Sequence, residues 1–233
     1  DAAEKILREI KPKGIIFLGG SVANFQNGFS NISVPAVLAT LVSDELHFPN
    51  LSMVGVDDRA AAHTAVAHLI AQGHSKIAVL GGPATSFPSR MRRLGAQDAM
   101  EQAGLIFDDR LYGLSNYDFE SAYHAMNSLL ARRAEFTALF AMSDVIAFGA
   151  IRALVSAGFR VPQDVSVIGF DGITMSRYCV PVMTTIVQPS EQIALQSIEL
   201  LINQIEHGAP AQTITLQPEL QQGESVCPCR HPL

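Results

Sequence analysis

Tryptophan is absent from the sequence, cysteine occurs three times, and charged residues make up only 16% of it. Each shortage removes a class of protein. Cys179, Cys227 and Cys229 are an odd number in a long chain, which argues against a disulfide scaffold and fits a reducing compartment. No apolar run reaches the length of a membrane span, and the polar opening "DAAEKILREI" is unlike a signal peptide. The densest basic cluster is Arg90, Arg92 and Arg93. Set against a net charge of −6, it is too small for a nucleic-acid face. The histidines show no metal spacing, and "CPC" at 227–229 lacks a His-rich second half, so it reads as tail. Neither a Gly-x-Ser-x-Gly elbow nor a Walker loop occurs. No metal, cofactor or catalytic nucleophile is expected, and the chain does not read as an enzyme.

What is present is apolar and periodic. The 233 residues are 48% hydrophobic, ample for a sizeable core or for two small domains. Strand-like runs are "GIIFLGG" (14–20), "VPAVLAT" (34–40), "LSMVGVD" (51–57), "KIAVLGG" (76–82), "TALFAMS" (137–143), "VSVIGFD" (165–171) and "TTIVQP" (184–189). Helical spacing appears over 58–72, 145–157 and 191–207, and each helix is stopped by a glycine: Gly73, Gly158 and Gly208. Alternating strand and helix predicts α/β architecture with parallel sheets covered on both faces. The continuous apolar strands agree, because parallel strands are buried twice over. The strands are too many for one small sheet, so two doubly wound subdomains are expected.

In such sheets a ligand sits outside the carboxyl ends of the strands. Three runs end there in an acid: "VGVDD" at 54–58, "AMSD" at 141–144 and "VIGFDG" at 167–172. The last places Asp171 one residue before Gly172 and two after Gly169. Polar tips converging on one crevice predict a small-molecule pocket.

The segments "VDDRAAAHTAVAHLIAQGHSKIAVLGGP", "RRLGAQDAM", "FAMSDVIAFGAIRALVSAGFRVPQDVSVIGFDG" and "PVMTTIVQPSEQIALQSIELLINQI" resemble the effector-binding core of the lac-repressor and gal-repressor family of bacterial transcription regulators. The resemblance covers nearly all of the chain. It implies a fold like that of type I periplasmic binding proteins: two doubly wound parallel-sheet subdomains joined by crossover strands, with ligand in the cleft. The crossings are expected near 73–76, 185–189 and 212–217. They would give an N-terminal subdomain of 1–73 plus 190–212, incomplete at its start, and a C-terminal subdomain of 74–189 plus 213–233. The family's helix-turn-helix headpiece is absent from this chain. The resemblance also implies a small-molecule effector (sugar, sugar phosphate, nucleoside or purine), a homodimer meeting partly through the loop 175–181, operator DNA bound through the headpiece, no membrane, and a cytoplasmic location. The rival reading is a periplasmic solute-binding protein of a sugar transporter.

Seven residues carry the expected site. Asp171 stands where the family has an acid for ligand hydroxyls; a carboxylate accepts two strong hydrogen bonds. The bland alternative is a turn aspartate bonded to its own backbone. Arg92, in "RRLG", matches the family's ligand-binding arginine, whose planar fork suits vicinal hydroxyls, carboxylate or phosphate. Asp58 is expected at the same cleft or as a helix cap. Asp144 opens the 145–157 helix, where capping outranks ligand contact. Ser143 stands where many sugar-binding relatives carry asparagine and offers one hydroxyl in place of an amide. Tyr117 and Phe119 lie where the family often places an aromatic over the ligand, Phe119 slightly ahead; both could instead pack before a helix. Without tryptophan, the commonest sugar platform is missing. His74, behind Gly73, reads as a C-terminal cap.

Overall fold

Strands and helices alternate through residues 7–230, the part of the chain that the computed structural model describes. The polar opening "DAAEKILREI" lies largely outside these residues. The chain divides into two units, each with its own sheet.

The first unit runs up to Asp57 and resumes over Pro189–Gln217. Its sheet has four parallel strands, in the order β1 (Ile15–Leu18), β2 (Ala36–Ala39), β3 (Leu51–Val56) and β9 (Thr213–Leu216). Val37, Ala39 and Val54 pack under Ile193 and Leu200 of α6 (Ser190–His207). That helix ends at Gly208 in the left-handed region, φ 62°, a conformation that glycine adopts without a Cβ penalty. Phe17 meets Phe25 of α1 (Val22–Gly28) edge-on at 5.0 Å, and Phe29 packs against Phe48 at 4.7 Å.

The second unit comprises Asp58–Gln188 and the chain from Pro218 onward. Its six strands run in the order β10 (Glu219–Gln221), β8 (Thr184–Val187), β7 (Ser166–Asp171), β6 (Ala138–Ala141), β4 (Ile77–Gly81) and β5 (Tyr112–Leu114). All pairings are parallel except β10 on β8. The central strands β4, β6 and β7 carry the continuous apolar runs seen in the sequence, and they are buried along their length, Asp171 alone being partly open. Helices α2 (Asp58–Ala71), α3 (Phe87–Gln102), α4 (Phe119–Ala131) and α5 (Asp144–Ser156) cover the sheet.

All seven expected strands are present, and the three expected helices begin and end within one residue of expectation. The division between units differs. The chain passes between them at Asp57/Asp58, Gln188/Pro189 and Gln217/Pro218. Helix 58–71, expected in the first subdomain, therefore belongs to the second: Ala61, Ala62, Ala65, Val66 and Leu69 all enter its core. The physical reason lies in α3. A Cβ at Gly95 would stand 2.0 Å from the Arg59 carbonyl oxygen, so glycine there lets the α2 and α3 backbones touch. Residues 213–216, expected in the second subdomain, are instead β9 of the first unit, paired with β3.

Candidate functional site

The carboxyl edge of the second unit's sheet gathers ionisable side chains from four elements. Strand β7 delivers Asp171, whose backbone is held at φ 106°, the left-handed side of the map that non-glycine residues rarely adopt. The glycines flanking it are required by space. A Cβ at Gly169 would lie 2.2 Å from Oδ1 of Asp144, and one at Gly172 would lie 2.7 Å from the Val187 side chain. Strained backbone of this kind costs about 1–3 kcal/mol and clusters at functional sites.

Oδ1 of Asp171 accepts a hydrogen bond of 2.7 Å from Nε2 of Gln188, and Nη1 of Arg92 lies 3.6 Å from the same oxygen. The Asp171 side chain is 28% exposed and can reach a solute. Arg92 cannot do so freely, since its side chain is 7% exposed. Its Nε donates to Oδ1 of Asp58 at 2.7 Å, its Nη1 donates to the Met142 carbonyl, and its guanidinium lies 3.6 Å from the Phe170 ring centroid. Burial alone would lower the Arg92 pKa, but Asp58 and Asp171 outweigh it and hold the group above its usual value. Burial raises the Asp171 carboxyl, with Arg92 and Gln188 pulling against it and Asp58 adding to the rise.

Asp58 is the first residue of α2, where a carboxylate also faces the positive end of the helix. Its Oδ1 is committed to Arg92, so its main partner is the guanidinium. Ser143 takes the cap that the sequence suggested for Asp144: its hydroxyl oxygen accepts from the Ile146 amide at 3.1 Å. Asp144 is fully buried and reaches across to β8 and to the turn after β7, accepting from Thr185 Oγ1 at 2.6 Å and from the Ile173 amide at 2.9 Å. Burial drives its pKa up to about 6, against the pull of those two bonds.

The two aromatics separate. Tyr117 sits at φ 61° with its ring against the backbone that follows β4; a Cβ at Gly82 would be 2.0 Å from its Cε2. Its hydroxyl oxygen is buried with no hydrogen-bond partner among the described residues, and its phenol acts electrostatically on Arg92. Phe119 is 50% exposed and stacks on Phe148, with 6.2 Å between centroids. The structure thus brings Asp58, Arg92, Asp171 and Tyr117 together, turns Ser143 to the α5 cap and Asp144 to Thr185 and the turn after β7, and stacks Phe119 on Phe148.

Sequence reasoning missed Gln188, Thr185 and Phe170. A signal existed for two of them: Thr185 and Gln188 are polar residues in the otherwise apolar run "TTIVQP". His74 closes the C-terminus of α2 as expected, its amide donating to the Leu69 carbonyl at 3.2 Å, while its ring serves elsewhere: Nδ1 pairs with Thr137 Oγ1 at 2.9 Å and Nε2 with the Cys227 carbonyl at 3.0 Å. One further expectation needs correction. "CPC" is no loose tail, because the Cys227 amide donates to Ser166 Oγ at 3.1 Å and the Cys229 amide to the Gln72 carbonyl at 2.8 Å. Among the described residues, no group of three or more His, Cys, Asp or Glu is placed to hold a metal, and no helix is long and apolar enough to cross a membrane. In the loop 175–181, Met175, Tyr178 and Val180 are 55%, 80% and 94% exposed.

Comparison with known proteins accounts for this arrangement. The model of the periplasmic binding protein-like domain matches residues 66–226. The HTH-type transcriptional regulator MalR of Clostridium butyricum is 34% identical over 221 residues, covering 94% of this chain and 66% of that protein. A solved complex of the transcriptional regulator CelR with cellobiose superposes with a TM-score of 0.87 at 27% identity, over 96% of this chain and 69% of that one. A sugar-binding regulator of the LacI family from Escherichia coli, complexed with phosphate, gives a TM-score of 0.82 at 29% identity, over 98% and 82%. The chain spans about half to two thirds of the length of the curated relatives it matches. It belongs to the periplasmic binding protein-like family, as an effector-sensing core of the LacI-type transcriptional regulators.

Proposed function

We propose that the effector is a small, uncharged, hydroxyl-rich molecule, a sugar or a nucleoside, whose hydroxyls bind the Asp171 carboxylate at the carboxyl edge of the second unit. The observation that carries this reading is the stance of Asp171: partly open to solvent, at an unfavourable φ, and anchored by Gln188 and Arg92. Charge separates the effector classes. Two carboxylates, Asp58 and Asp171, face a single guanidinium. An added phosphate would meet net negative charge, whereas hydroxyls meet acceptors. The buried, unpartnered Tyr117 hydroxyl supports a further polar contact to the effector. Arg92 and Asp58 form the floor of the site.

In the whole regulator this sensing controls operator DNA. The effector binds one conformation more tightly and shifts the population toward it, without chemical turnover. The regulator acts in the cytoplasm as a homodimer and reads its operator through a helix-turn-helix headpiece, in keeping with its HTH-type relatives. The exposed Met175, Tyr178 and Val180 support a dimer contact in that loop.

A thermal-shift screen of sugars, sugar phosphates and nucleosides tests the assignment. A ligand at about 100 times its Kd stabilises the native state by about 2.7 kcal/mol. A neutral sugar or nucleoside is expected to raise Tm, and Asp171→Ala is expected to abolish the rise. Undiminished binding by Asp171→Ala overturns the site; a response to sugar phosphates alone overturns the effector class.

A further inference from the structure

Asp144 is a fully buried acid that needs no effector to explain its contacts. Its two oxygens serve different parts of the sheet edge. Oδ1 accepts from Thr185 on β8, at 2.6 Å, and occupies the space that a Cβ at Gly169 would need. Oδ2 accepts from the Ile173 amide at 2.9 Å, and the neighbouring Gly172 amide helps to favour the charged carboxylate. Gly172 and Ile173 are the two residues that follow Asp171. Thr185 lies three residues before Gln188, whose side chain holds the Asp171 carboxylate and whose amide donates to the Asp171 carbonyl at 3.1 Å. One carboxyl group therefore grips both supports of Asp171.

Other duties for Asp144 are already filled. Ser143 caps α5. No basic side chain pairs with Asp144 among the described residues; the Arg92 donors go to Asp58 and the Met142 carbonyl, with Asp171 3.6 Å away. The titratable groups facing it are Asp171 on β7 and the Cys179 thiol in the loop beyond. The remaining contacts, from β8 and the turn, are the neutral Thr185 hydroxyl and the two amides.

We propose that Asp144 is a positioning residue for the effector site: it never touches the effector, and its carboxyl couples the turn that presents Asp171 to β8. This rests on the reading of Asp171 as the effector contact. Because burial lifts Asp144 to about 6, the coupling works close to neutral pH. On protonation the group loses acceptor capacity, and its hold on the turn amides weakens.

The test is an NMR titration of the isotope-labelled chain between pH 4.5 and 8, following the Gly172 and Ile173 amides and the Asp171 carboxyl carbon. The two amides are expected to share one inflection, with the Asp171 carboxyl carbon separating out any titration of Asp171 itself. Asp144→Asn can still accept from Ile173 and donate to Thr185 Oγ1, and it is expected to abolish that inflection in both amides. Thr185→Val removes a bond to the charged form and is expected to move the inflection to higher pH. The proposal is overturned if the two amides are flat in the wild type, if they titrate unchanged in Asp144→Asn, or if Thr185→Val leaves the inflection where it was. Should Asp144→Asn fail to fold, the wild-type and Thr185→Val curves decide alone. No effector is needed, so a failed effector screen overturns the proposed function and leaves this result standing.

Discussion

At the carboxyl edge of the six-stranded sheet, four ionisable side chains crowd together: Asp58, Arg92, Asp144 and Asp171. At the amino edge of the same sheet the buried groups are neutral, and the ion pairs there, Lys76–Glu135 and Arg160–Asp164, lie at the surface. The His74 ring bridges Thr137 and the Cys227 carbonyl, Ser225 Oγ donates to the Val167 carbonyl at 2.6 Å, and the Cys227 amide donates to Ser166. Hydrogen bonds between neutral groups contribute about 1 kcal/mol each and suffice to close an edge. Buried charges add little net stability but are costly to break, and they present a field to whatever arrives. One edge is built to stay shut and the other to respond.

The sharpest way to break this contrast is Arg92→Ala. It leaves Asp58 buried without its partner, and we expect a loss of about 3–5 kcal/mol in urea melts. The sequence suggested an arginine kept for ligand alone; its burial ties it to the fold as well. A loss below about 1 kcal/mol, the level of exposed pairs, would put the ionic floor in the surface class.

Acid titration comes next, because burial pushes Asp144 and His74 toward their neutral forms with opposite consequences for pH. Asp144 is raised from an ordinary 3.8 to about 6, so the folded state holds its proton more tightly and this group's stabilisation falls as pH climbs from about 4 to about 6. Linkage puts that loss at about 3 kcal/mol. Asp144→Asn should therefore gain on the wild type across that interval and keep a constant margin above it, as Tm against pH will show. His74 is lowered by burial, so its contribution runs the other way and is lost as pH falls below 6.5. His74→Gln should flatten that acid limb.

Gly169→Ala should cost about 1–3 kcal/mol by overpacking against Asp144. A double-mutant cycle with Asp144→Ala, which vacates the space, should recover most of it. If the two costs add, the contact is not what demands glycine. The smallest effect on stability is expected at Asp171, which is partly exposed. Asp171→Asn should change the melt by less than about 1 kcal/mol while weakening effector binding, since a carboxylate bond is about twice as strong as a neutral one.

Much of the fold was legible because buried parallel strands are written as unbroken apolar runs, and glycines punctuate the helices. The strands with no apolar run of their own are three or four residues long and edge-like, "YGL", "TITL" and "ELQ", and of these only the stretch holding "TITL" was expected, as a crossing. The first boundary between units was misplaced because the alanine-rich α2 is compatible with either sheet. Gly95 decides the matter, and a glycine's role in helix contact has no local signature. At the site, Asp58, Arg92 and Asp171 stood out as charges at strand ends or in a family motif. Gln188 and Thr185 did not, being neutral residues that matter only through the acids they bond. Ser143 and Asp144 are adjacent and both able to cap, so periodicity could not say which hydroxyl or carboxyl turns toward the helix.

The order in which the two units complete their sheets during synthesis follows from β9 and the amino-edge closure. The first unit receives a strand from residues 213–216, and the second is sealed by residues 225–229. Neither sheet has its full set of partners until residues 213–229 have left the ribosome, so a chain stalled before residue 213 presents two unfinished sheets to the cell's chaperones and proteases.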